Sequence, residues 1–412
     1  MFVVTERPDQ ASKLFLNRVI GRVVTVAAAA PVVGPSSELR NERMRFFLCG
    51  DVMVGRGIDQ ILPNPSNPLL HEPFMRSAED YVELAEQKSG PIVRGVSFDY
   101  IWGDALAEID RRSPDLRIIN LETSITTSEA FERKGINYRM HPKNIGCISA
   151  ARIDCCVLAN NHIADWGMGG AVDTVETLEG EGIATAGFGP DSGTARSAAV
   201  LTTKAGRRVL VFAFACSSSG VPSEWAAEAN RRGVNFLAHL DEASFPSVVD
   251  HIAKSRRPDD IVVASIHWGG NWGYKIPTEH WRFAHALIDM AGVDIVHGHS
   301  SHHAMPIEVH AGRPILYGCG DFINDYEGIK GYEIFRPELV LGYFLDLHEH
   351  THVLQRLEMV PFRMRSFSLH RASQEEAVWL RSRLDPGCRR MGGRIDALPD
   401  GVLCFSSCDE SA

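Results

Sequence analysis

The sequence lacks the features of a membrane-spanning or nucleic-acid-binding chain. None of its apolar runs reaches the roughly 20 residues that a helix needs to cross a bilayer. Its 42 lysines and arginines are outnumbered by 52 aspartates and glutamates, which gives a net charge of −10, and they form no basic stripe. A nucleic-acid partner is therefore not expected. An anionic substrate would depend on local positive charge, from metal ions or a few basic side chains.

Clustered cysteines are also missing. The chain has nine cysteines, an odd number, and they show no short-spaced framework. Cys155 and Cys156 lie inside an apolar run, as buried cysteines usually do. This usage favours a reducing compartment, and hence a cytoplasmic location, over a disulfide-built exterior. With 412 residues, 44% of them hydrophobic and 23% charged, the chain has the composition of a globular protein with a large core.

Residues 1–43 have the character of an N-terminal extension. An Ala- and Val-rich stretch at 23–33 follows basic residues and resembles the apolar core of a signal peptide. Glu6 and Asp9 lie before that stretch and weaken the resemblance. An irregular extension is the alternative, and an exported or membrane-associated location stays open.

Short apolar runs, each followed by glycine or polar residues, recur from Met44 onward. Runs of this length that are rich in Val and Ile predict buried strands. Helical patterns at 171–182 and 278–291 lie between some of them, so the chain is predicted to form an α/β core with much parallel pairing. The predicted strands are 46–49, 116–120, 155–159, 209–216, 261–266, 293–296 and 314–317.

The sequence divides into three predicted parts: the extension, a main domain at 44–365 and a C-terminal part at 366–412. A Pro-rich stretch at about 63–95 is interpreted as an insertion over the active-site face, with one helical segment near 77–86. Strand-like runs at 340–347 and 353–360 predict a hairpin. Ser373 and Glu376 form a capping box for a last helix, predicted at 374–384 and stopped by Pro386. The final 25 residues are predicted to be poorly ordered.

Side chains that can bind metal or titrate follow six of the predicted strands. The carboxyl ends of parallel strands meet at one edge of a sheet, where ligands bind in α/β proteins, so these side chains are predicted to form one shared site. A single polar residue at a strand end is more often a turn former, and the prediction rests on six such ends. The residues are Asp51, Glu122, Asn160, Asn161, His162, His267, His299, His302 and Asp321.

The residue types in this set predict a metal centre. Carboxylates, an amide oxygen and imidazoles, without clustered thiolates, suit Mn, Fe, Zn or Co. Two divalent ions about 4 Å apart need a carboxylate between them, and either Glu122 or Asp51 can supply it. His299 and His302 come from one loop and can serve different ions.

Six motifs resemble those of the bacterial CapA family of capsule and poly-γ-glutamate synthesis proteins, a branch of the calcineurin-like metallophosphoesterases. They occur in family order from about residue 44 to 345. The motifs are GDVMVGR at 50–56, NLE at 120–122, NNH at 160–162, HWG at 267–269, GHSSH at 298–302 and GDF at 320–322.

This resemblance implies a four-layer α/β/β/α sandwich with the insertion and the C-terminal strands and helix added. It also implies two metal sites that share Glu122. Asp51 and His302 would complete the first site, and Asn161, His267 and His299 the second. His162 would lie beside the leaving group, where its ordinary pKa suits proton donation.

Two features depart from the family pattern. Metallophosphoesterases carry a histidine two residues after the first aspartate, where this chain has Met53. A thioether is a poor ligand for a hard cation, so the first site is expected to bind its metal loosely. The last pair of histidines is spaced His-x-x-His, with Ser301 where many members have proline.

Four further residues have two interpretations each. Arg56 is a candidate to contact a substrate anion or to form a structural salt bridge, and Arg139 is a second anion candidate. Asp321 would orient a ligand histidine or bind substrate. His303 has no assigned role and is predicted to be a solvent-facing loop residue.

The sequence predicts a metal-dependent hydrolase that acts through an activated water. The resemblance implies poly-γ-glutamate, a related γ-glutamyl polymer or a phosphoester as substrate, and capsule-synthesis membrane proteins as partners. The alternative is a non-catalytic accessory subunit of a polymer synthesis or export complex, which Met53 favours. A Rossmann-type enzyme is disfavoured because the glycines at 187 and 189 lack the third glycine of that motif.

Overall fold

A computed structural model describes residues 43–241 and 244–407. The predicted extension, apart from Arg43 in β1, and its signal-like stretch lie outside these residues. Within them, the strands are β1 (Arg43–Val52), β2 (Leu116–Leu121), β3 (Ser124–Ile125), β4 (Arg139–Met140), β5 (Cys155–Val157), β6 (Ala184–Ala186), β7 (Phe188–Gly189), β8 (Ala199–Thr202), β9 (Arg208–Cys216), β10 (Gly233–Val234), β11 (Phe236–Leu237), β12 (Ile261–His267), β13 (Ile295–His299), β14 (Ile307–His310), β15 (Arg313–Leu316), β16 (Asp321–Ile323), β17 (Leu339–His348), β18 (Leu354–Arg365), β19 (Ser368–Arg371), β20 (Gly393–Ala397) and β21 (Leu403–Ser407).

The α-helices of the described residues lie mainly between these strands. They are α1 (Gly57–Ile61), α2 (Glu79–Ser89), α3 (Asp104–Arg112), α4 (Gly146–Ser149), α5 (Gly167–Gly180), α6 (Ser192–Arg196), α7 (Phe245–Ser255), α8 (Thr278–Ala291) and α9 (Gln374–Arg390). All seven strands predicted from the apolar runs are present. The helix predicted at 278–291 has those bounds in the structure. No helix in the described part of the chain is both long enough and apolar enough to cross a membrane.

Two large sheets form the centre of the fold. The first has the order β20-β21-β18-β17-β1-β2-β5-β6, with β16 beside β1 and β19 beside β18. The second has the order β11-β9-β12-β13-β15-β14, with β8 beside β9. In each sheet the strands that carry the predicted site pair in parallel: β1 with β2 and β16, and β12 with β13. Their carboxyl ends therefore share an edge.

Alternating side chains of β9 show how the layers are stacked. Val209 and Val211 belong to the core that also contains the first sheet, whereas Leu210 and Phe212 pack in a second core with α7 and α8. A strand with two buried faces needs apolar residues at every position, as the run at 209–216 has. Helices α3 and α5 contribute Ile109 and Leu178 to the core of the first sheet. The predicted four-layer sandwich is confirmed.

The C-terminal part differs from its prediction in two ways. Helix α9 begins at the predicted capping box but continues through Pro386 to Arg390. Residues 393–397 and 403–407 form β20 and β21, which extend the first sheet, so the prediction of poor order was wrong for these residues. Cys388, at the end of α9, is fully buried, and packing of this last turn offsets the cost of an internal proline.

Gly387 provides a test of that packing. A β-carbon built on Gly387 would lie 2.2 Å from Cγ of Pro306. We expect Gly387→Ala to lower the free energy of unfolding by about 1–3 kcal/mol, because overpacking displaces one of the two elements. Gly169 in α5 is a matched control, since its added β-carbon would meet nothing within 4 Å. Gly169→Ala should be neutral or stabilising by up to about 1 kcal/mol in urea unfolding. Equal effects of the two substitutions would contradict this packing argument.

Candidate metal centre

The predicted site residues converge where the two sheets meet. Asp51, near the end of β1, lies in register with Asn120 of β2 and Asp321 of β16. In the second sheet His267 lies in register with His299. The sheets are joined at this point, because Nε2 of His297 lies 2.8 Å from the carbonyl oxygen of Cys49 and the backbone N–H of Ser300 donates to Asp51.

A close approach of two backbones positions Asp51. A β-carbon on Gly50 would lie 1.7 Å from the carbonyl oxygen of Gly320, so this position requires glycine. The backbone N–H of Asp51 donates to the same carbonyl at 3.0 Å. The pairing of β1 with β2 shifts register between Cys49 and Asp51, as at a β-bulge. Bulges of this kind redirect a side chain at the end of a strand.

The metal-capable side chains form two groups that share Asp51. One group contains Asp51, His302 and Asp321, and the other contains Asp51, His267 and His299; within each group the ligand-capable atoms lie within 4.8 Å of one another. Nδ1 of His302 lies 2.8 Å from Oδ1 of Asp321, and the Nδ1 atoms of His267 and His299 are 2.8 Å apart. Asp51 is common to both groups, and Asp321 lies in the first, whereas Glu122, which the family resemblance implied as the shared ligand, lies beside the second group.

Glu122 lies between the second group and His162. Its Oε1 is 3.6 Å from Nε2 of His267 and 3.7 Å from Nε2 of His162. Its Oε2 is buried and has no hydrogen-bond partner among the residues that the structure describes. An ionised carboxylate oxygen that is removed from water and left unpaired is strongly unfavourable, so this position calls for a cation or a proton.

The charges around Asp51 point to the same need. Burial, and then the neighbouring Asp321, raise the pKa of Asp51 to about 7. Burial, and then Asp51 and Asp321, raise the pKa of Glu122 well above its usual value. Like charges held together in a low-dielectric interior repel strongly, and a divalent cation would relieve this repulsion.

The histidines of the second group are held in the form that binds metal. Burial lowers the pKa of His267 and of His299 well below the usual value, and the neighbouring histidines lower both pKa values further. Neutral imidazole is the metal-binding form. His302 differs: burial lowers its pKa, but Asp321 and Asp51 outweigh burial and leave the pKa raised.

Two hydrogen-bond chains, not predicted from the sequence, orient these ligands. Ser265 Oγ lies 2.8 Å from Nε2 of His299 and 3.0 Å from Nδ1 of His297. On the other side, the amide of Asn120 donates to Asp51 at 2.7 Å, and that of Asn160 donates to Asn120 at 3.0 Å. Groups that hold ligands in this way fix the ring orientation and the position of the carboxylate.

Asn161 and His162 lie at the open side of the site. Oδ1 of Asn161 is 3.0 Å from Nε2 of His267, which places the amide oxygen with the second group. Nδ1 of His162 is 2.6 Å from Oδ2 of Asp165, and Lys134 lies 2.7 Å from the other oxygen of Asp165. Asp165 and Lys134 were not among the site residues predicted from the sequence. The His-x-x-Asp spacing of 162 and 165 was the available signal for Asp165.

Met53 occupies the position of the missing histidine. Its side chain is fully buried, and the hydroxyl of Tyr326 donates to its sulfur at 3.7 Å. The same hydroxyl lies 3.5 Å from Nε2 of His302. The first group therefore has a thioether and a phenol where the resemblance implied a nitrogen ligand. It offers fewer good metal ligands than the second group, which has two histidines.

Arg56 forms a structural salt bridge, which was the second of its two predicted roles. It is buried and contacts Asp325 at 2.5 Å and Glu72 at 3.1 Å, and it also donates to the hydroxyl of Tyr81. Two carboxylates neutralise its charge, so Arg56 is not a free receptor for a substrate anion. Arg139 is also engaged, by Glu129 and by two backbone carbonyls.

His303 contradicts its prediction as a solvent-facing residue. It is 4% exposed, accepts a hydrogen bond from the backbone N–H of Gly273 and stacks on Phe335. Asp321 contacts His302 directly, which agrees with the predicted orienting role.

A cavity of about 390 Å³ opens onto this site beside His162 and His302. Its wall is rich in aromatic side chains, and Phe74 and Tyr81 come from the predicted insertion at 63–95. The other aromatic residues of the wall are Tyr138, Trp272, Tyr326 and Tyr332. The cavity is wide enough for part of a small organic substrate.

Comparison with known proteins agrees with the motifs. The family model for bacterial capsule synthesis protein PGA_cap matches residues 45–326. A protein of Mycobacterium tuberculosis named probable polyglutamine synthesis accessory protein is 47% identical over 361 residues, 87% of this chain and 94% of that one. The PGA biosynthesis protein CapA of Bacillus subtilis is 25% identical over 298 residues, 72% of this chain and 66% of that one.

A solved structure described as a novel phosphatase from Mycoplasma pneumoniae aligns over 77% of this chain and 93% of that chain, with 12% identity. The TM-score of this alignment is 0.43, which is too low to support an argument about function. The family assignment rests on the sequence matches. The chain belongs to the bacterial capsule synthesis protein PGA_cap family.

Proposed function

We propose that this protein is a metal-dependent hydrolase that cleaves a phosphoester or a γ-glutamyl amide bond. The observation that carries the proposal is the buried carboxyl of Glu122, whose Oε2 receives no hydrogen bond from a described donor and which lies against the carboxyl of Asp51 and near neutral histidines. Burying this set has a large electrostatic cost, which binding of divalent ions would offset.

The donor set fits two divalent ions. Asp51 and His302 would hold one, with Asp321 beside His302, and Asp51, His267 and His299 would hold the other, with Glu122 and Asn161 next to it. Mn, Fe, Zn and Co suit these oxygen and nitrogen donors. Such ions, when bound, acidify water and withdraw charge from a phosphoryl or carbonyl oxygen.

His162 is the proposed proton donor to the leaving group. Asp165 binds Nδ1 of His162, which turns Nε2 toward Glu122 and the cavity. Burial lowers the pKa of His162 to about 4, although Asp165 raises it in part, so the ordinary pKa expected from the sequence is wrong for the metal-free site and the ring must gain a proton before it can donate one. This arrangement holds the imidazole in one orientation, as a general acid–base pair requires. Asp321, which contacts His302, would orient that ligand.

The substrate class is proposed from the cavity and the relatives. The names of the relatives, a polyglutamine synthesis accessory protein and a PGA biosynthesis protein, favour a polymer of γ-linked glutamate. A phosphoester is the alternative that the metal chemistry allows. The cationic groups that line the cavity, Arg56 and Lys134, both contact carboxylates. The anionic part of the substrate would therefore be bound by the metal ions, and the aromatic wall would contact its carbon skeleton. Membrane proteins of a capsule-synthesis complex are the proposed partners.

A non-catalytic accessory function is the second candidate. Met53 is the observation that favours it, because a buried thioether weakens the first metal position. In this case one ion would stabilise a docking surface and no bond would be cleaved. The name of the mycobacterial relative agrees with this function.

Replacing His162 by alanine separates the two functions. In protein loaded with manganese or zinc, we expect His162→Ala to lower kcat for bis-p-nitrophenyl phosphate or γ-glutamyl oligomers by about 10²–10⁴-fold, the usual contribution of a general acid. Bound metal, measured by mass spectrometry, should not change. His370→Ala is the control, since His370 is exposed on β19. A metal-loaded wild-type protein that turns over neither substrate would favour the accessory function.

A further inference from the structure

A second cluster of metal-capable side chains lies between α8 and β14, apart from the centre described above. It contains His285 and Asp289 of α8 and Glu308 and His310 of β14. Residues four apart share one face of a helix, and residues two apart share one face of a strand. Two rigid elements thus present two donors each toward the same place. We refer to these four residues as the α8–β14 cluster.

The side chains of the α8–β14 cluster are in direct contact. Nε2 of His285 lies 2.9 Å from Oε1 of Glu308, and Nε2 of His310 lies 2.8 Å from Oδ1 of Asp289. The two imidazole rings are stacked, with centroids 3.7 Å apart. Ligand-capable atoms of His285, Glu308 and His310 lie within 4.8 Å of one another.

Glu308 is held in the manner of a metal ligand. The hydroxyl of Tyr317 donates to its Oε2 at 2.6 Å, which fixes the carboxylate and leaves Oε1 directed at His285. Partners of this kind orient ligands in metal sites. The cluster is also accessible, because the side chains of His285 and His310 are 15% and 26% exposed. An ion can therefore enter from solvent.

We propose that the α8–β14 cluster binds one zinc-type divalent ion. His285, His310 and Glu308 supply two imidazoles and one carboxylate within reach of one ion, which suits zinc, cobalt or nickel, and Asp289, which contacts His310, would complete or support this set. The site would tie β14, the last strand of its sheet, to the helix that covers that sheet. Its role is structural, because β14 is an edge strand and the ion joins it to a rigid element. This inference goes beyond the proposed hydrolase and does not depend on it.

The test is zinc stoichiometry in two backgrounds. Untagged full-length protein is stripped with a chelator, dialysed against zinc and analysed by mass spectrometry. We expect the double substitution His285→Gln/His310→Gln to lower bound zinc by one equivalent per chain. The decrease should be the same in the wild type and in the Asp51→Asn variant, which lacks a ligand of the central site. Zinc should raise the Tm of Asp51→Asn by about 2–4 °C, and the double substitution should abolish this rise.

A single exposed substitution gives a milder check. Asp289 has 53% of its side chain exposed, so Asp289→Asn should fold normally and weaken zinc binding about tenfold. Unchanged zinc stoichiometry after the double histidine substitution, in either background, would overturn the proposal. If the central site did not bind metal, the wild type and Asp51→Asn would instead hold the same amount of zinc, so the two failures are distinguishable.

Discussion

Asp51→Asn is expected to weaken metal binding while stabilising the metal-free protein. Asp51 is the carboxylate common to both groups of the centre, so its loss should lower the affinity for manganese or zinc by more than about 100-fold. Replacing a residue that only hydrogen-bonds to a ligand usually lowers metal affinity by about 10–100-fold. Any hydrolysis by Asp51→Asn should fall at least as much as its metal affinity. In the metal-free protein at pH 8, removing the repelled charge would contribute at most about 4 kcal/mol of stability. The new amide would turn an N–H toward the Asn120 amide or the Ser300 N–H, which costs about 1–3 kcal/mol, so a net gain of about 2 kcal/mol is expected.

The pH dependence gives the sign of this effect. The folded-state pKa of Asp51, about 7, lies above the unfolded value of about 3.9, so the folded state binds the proton more tightly. The ionised form therefore opposes folding, and this cost is complete above pH 7, declines as the pH falls below 7, and is gone only below the unfolded pKa of about 3.9. Urea unfolding of chelated protein should show a gain for Asp51→Asn at pH 8 that shrinks by pH 5.

Asp59→Asn is the matched control, with the opposite expected sign. Asp59 is also fully buried, and burial raises its pKa as well. It differs from Asp51 in having no carboxylate among the causes of its shift, and the backbone N–H groups of Ser66 and His141 and the amide of Asn144 donate to it and oppose the rise. An asparagine there would turn an N–H toward a donor and cost about 1–3 kcal/mol. Equal destabilisation by the two substitutions would mean that neighbouring carboxylates do not repel the ionised form of Asp51. The centre would then not require a cation.

The convergence of the site could be predicted from the sequence because it follows from strand ends. Apolar runs that stop at Asp51, His267 and His299 place these side chains at the edge of their sheets, and parallel pairing brings them together. The strand ends left open whether Glu122 or Asp51 lies between the two groups of ligands. The outcome depends on the register shift between Cys49 and Asp51, a backbone feature for which the sequence letters give no signal.

Contacts across long sequence separations account for the other differences. The partners of Arg56 include Asp325, 269 residues away, so the motif that ends in Arg56 does not show whether the charge is free. In the C-terminal part, Pro386 and Gly387 are typical of a helix end. Burial of Cys388 and the contact of Gly387 with Pro306 are tertiary features, and they outweigh the local preference.

Arg56→Met is expected to be the most destabilising substitution near the site. It would leave the carboxylates of Asp325 and Glu72 buried without their shared cation, and breaking a buried ion pair from one side costs about 3–5 kcal/mol. The Arg56 guanidinium also lies 3.9 Å and 4.4 Å from the ring centres of Tyr81 and Tyr138, contacts that methionine only partly replaces.

A triple variant shows whether the loss is electrostatic. Adding Glu72→Gln and Asp325→Asn removes the uncompensated charges, so urea unfolding should show recovery of at least half of the lost stability. If Arg56 served mainly to bind a substrate anion, Arg56→Met would leave stability near the wild-type value and raise KM alone. Both carboxylates already lie within 3.1 Å of the guanidinium, so we expect Arg56→Met to lower the free energy of unfolding. In the fraction of the variant that remains folded, KM should stay within about threefold of the wild-type value.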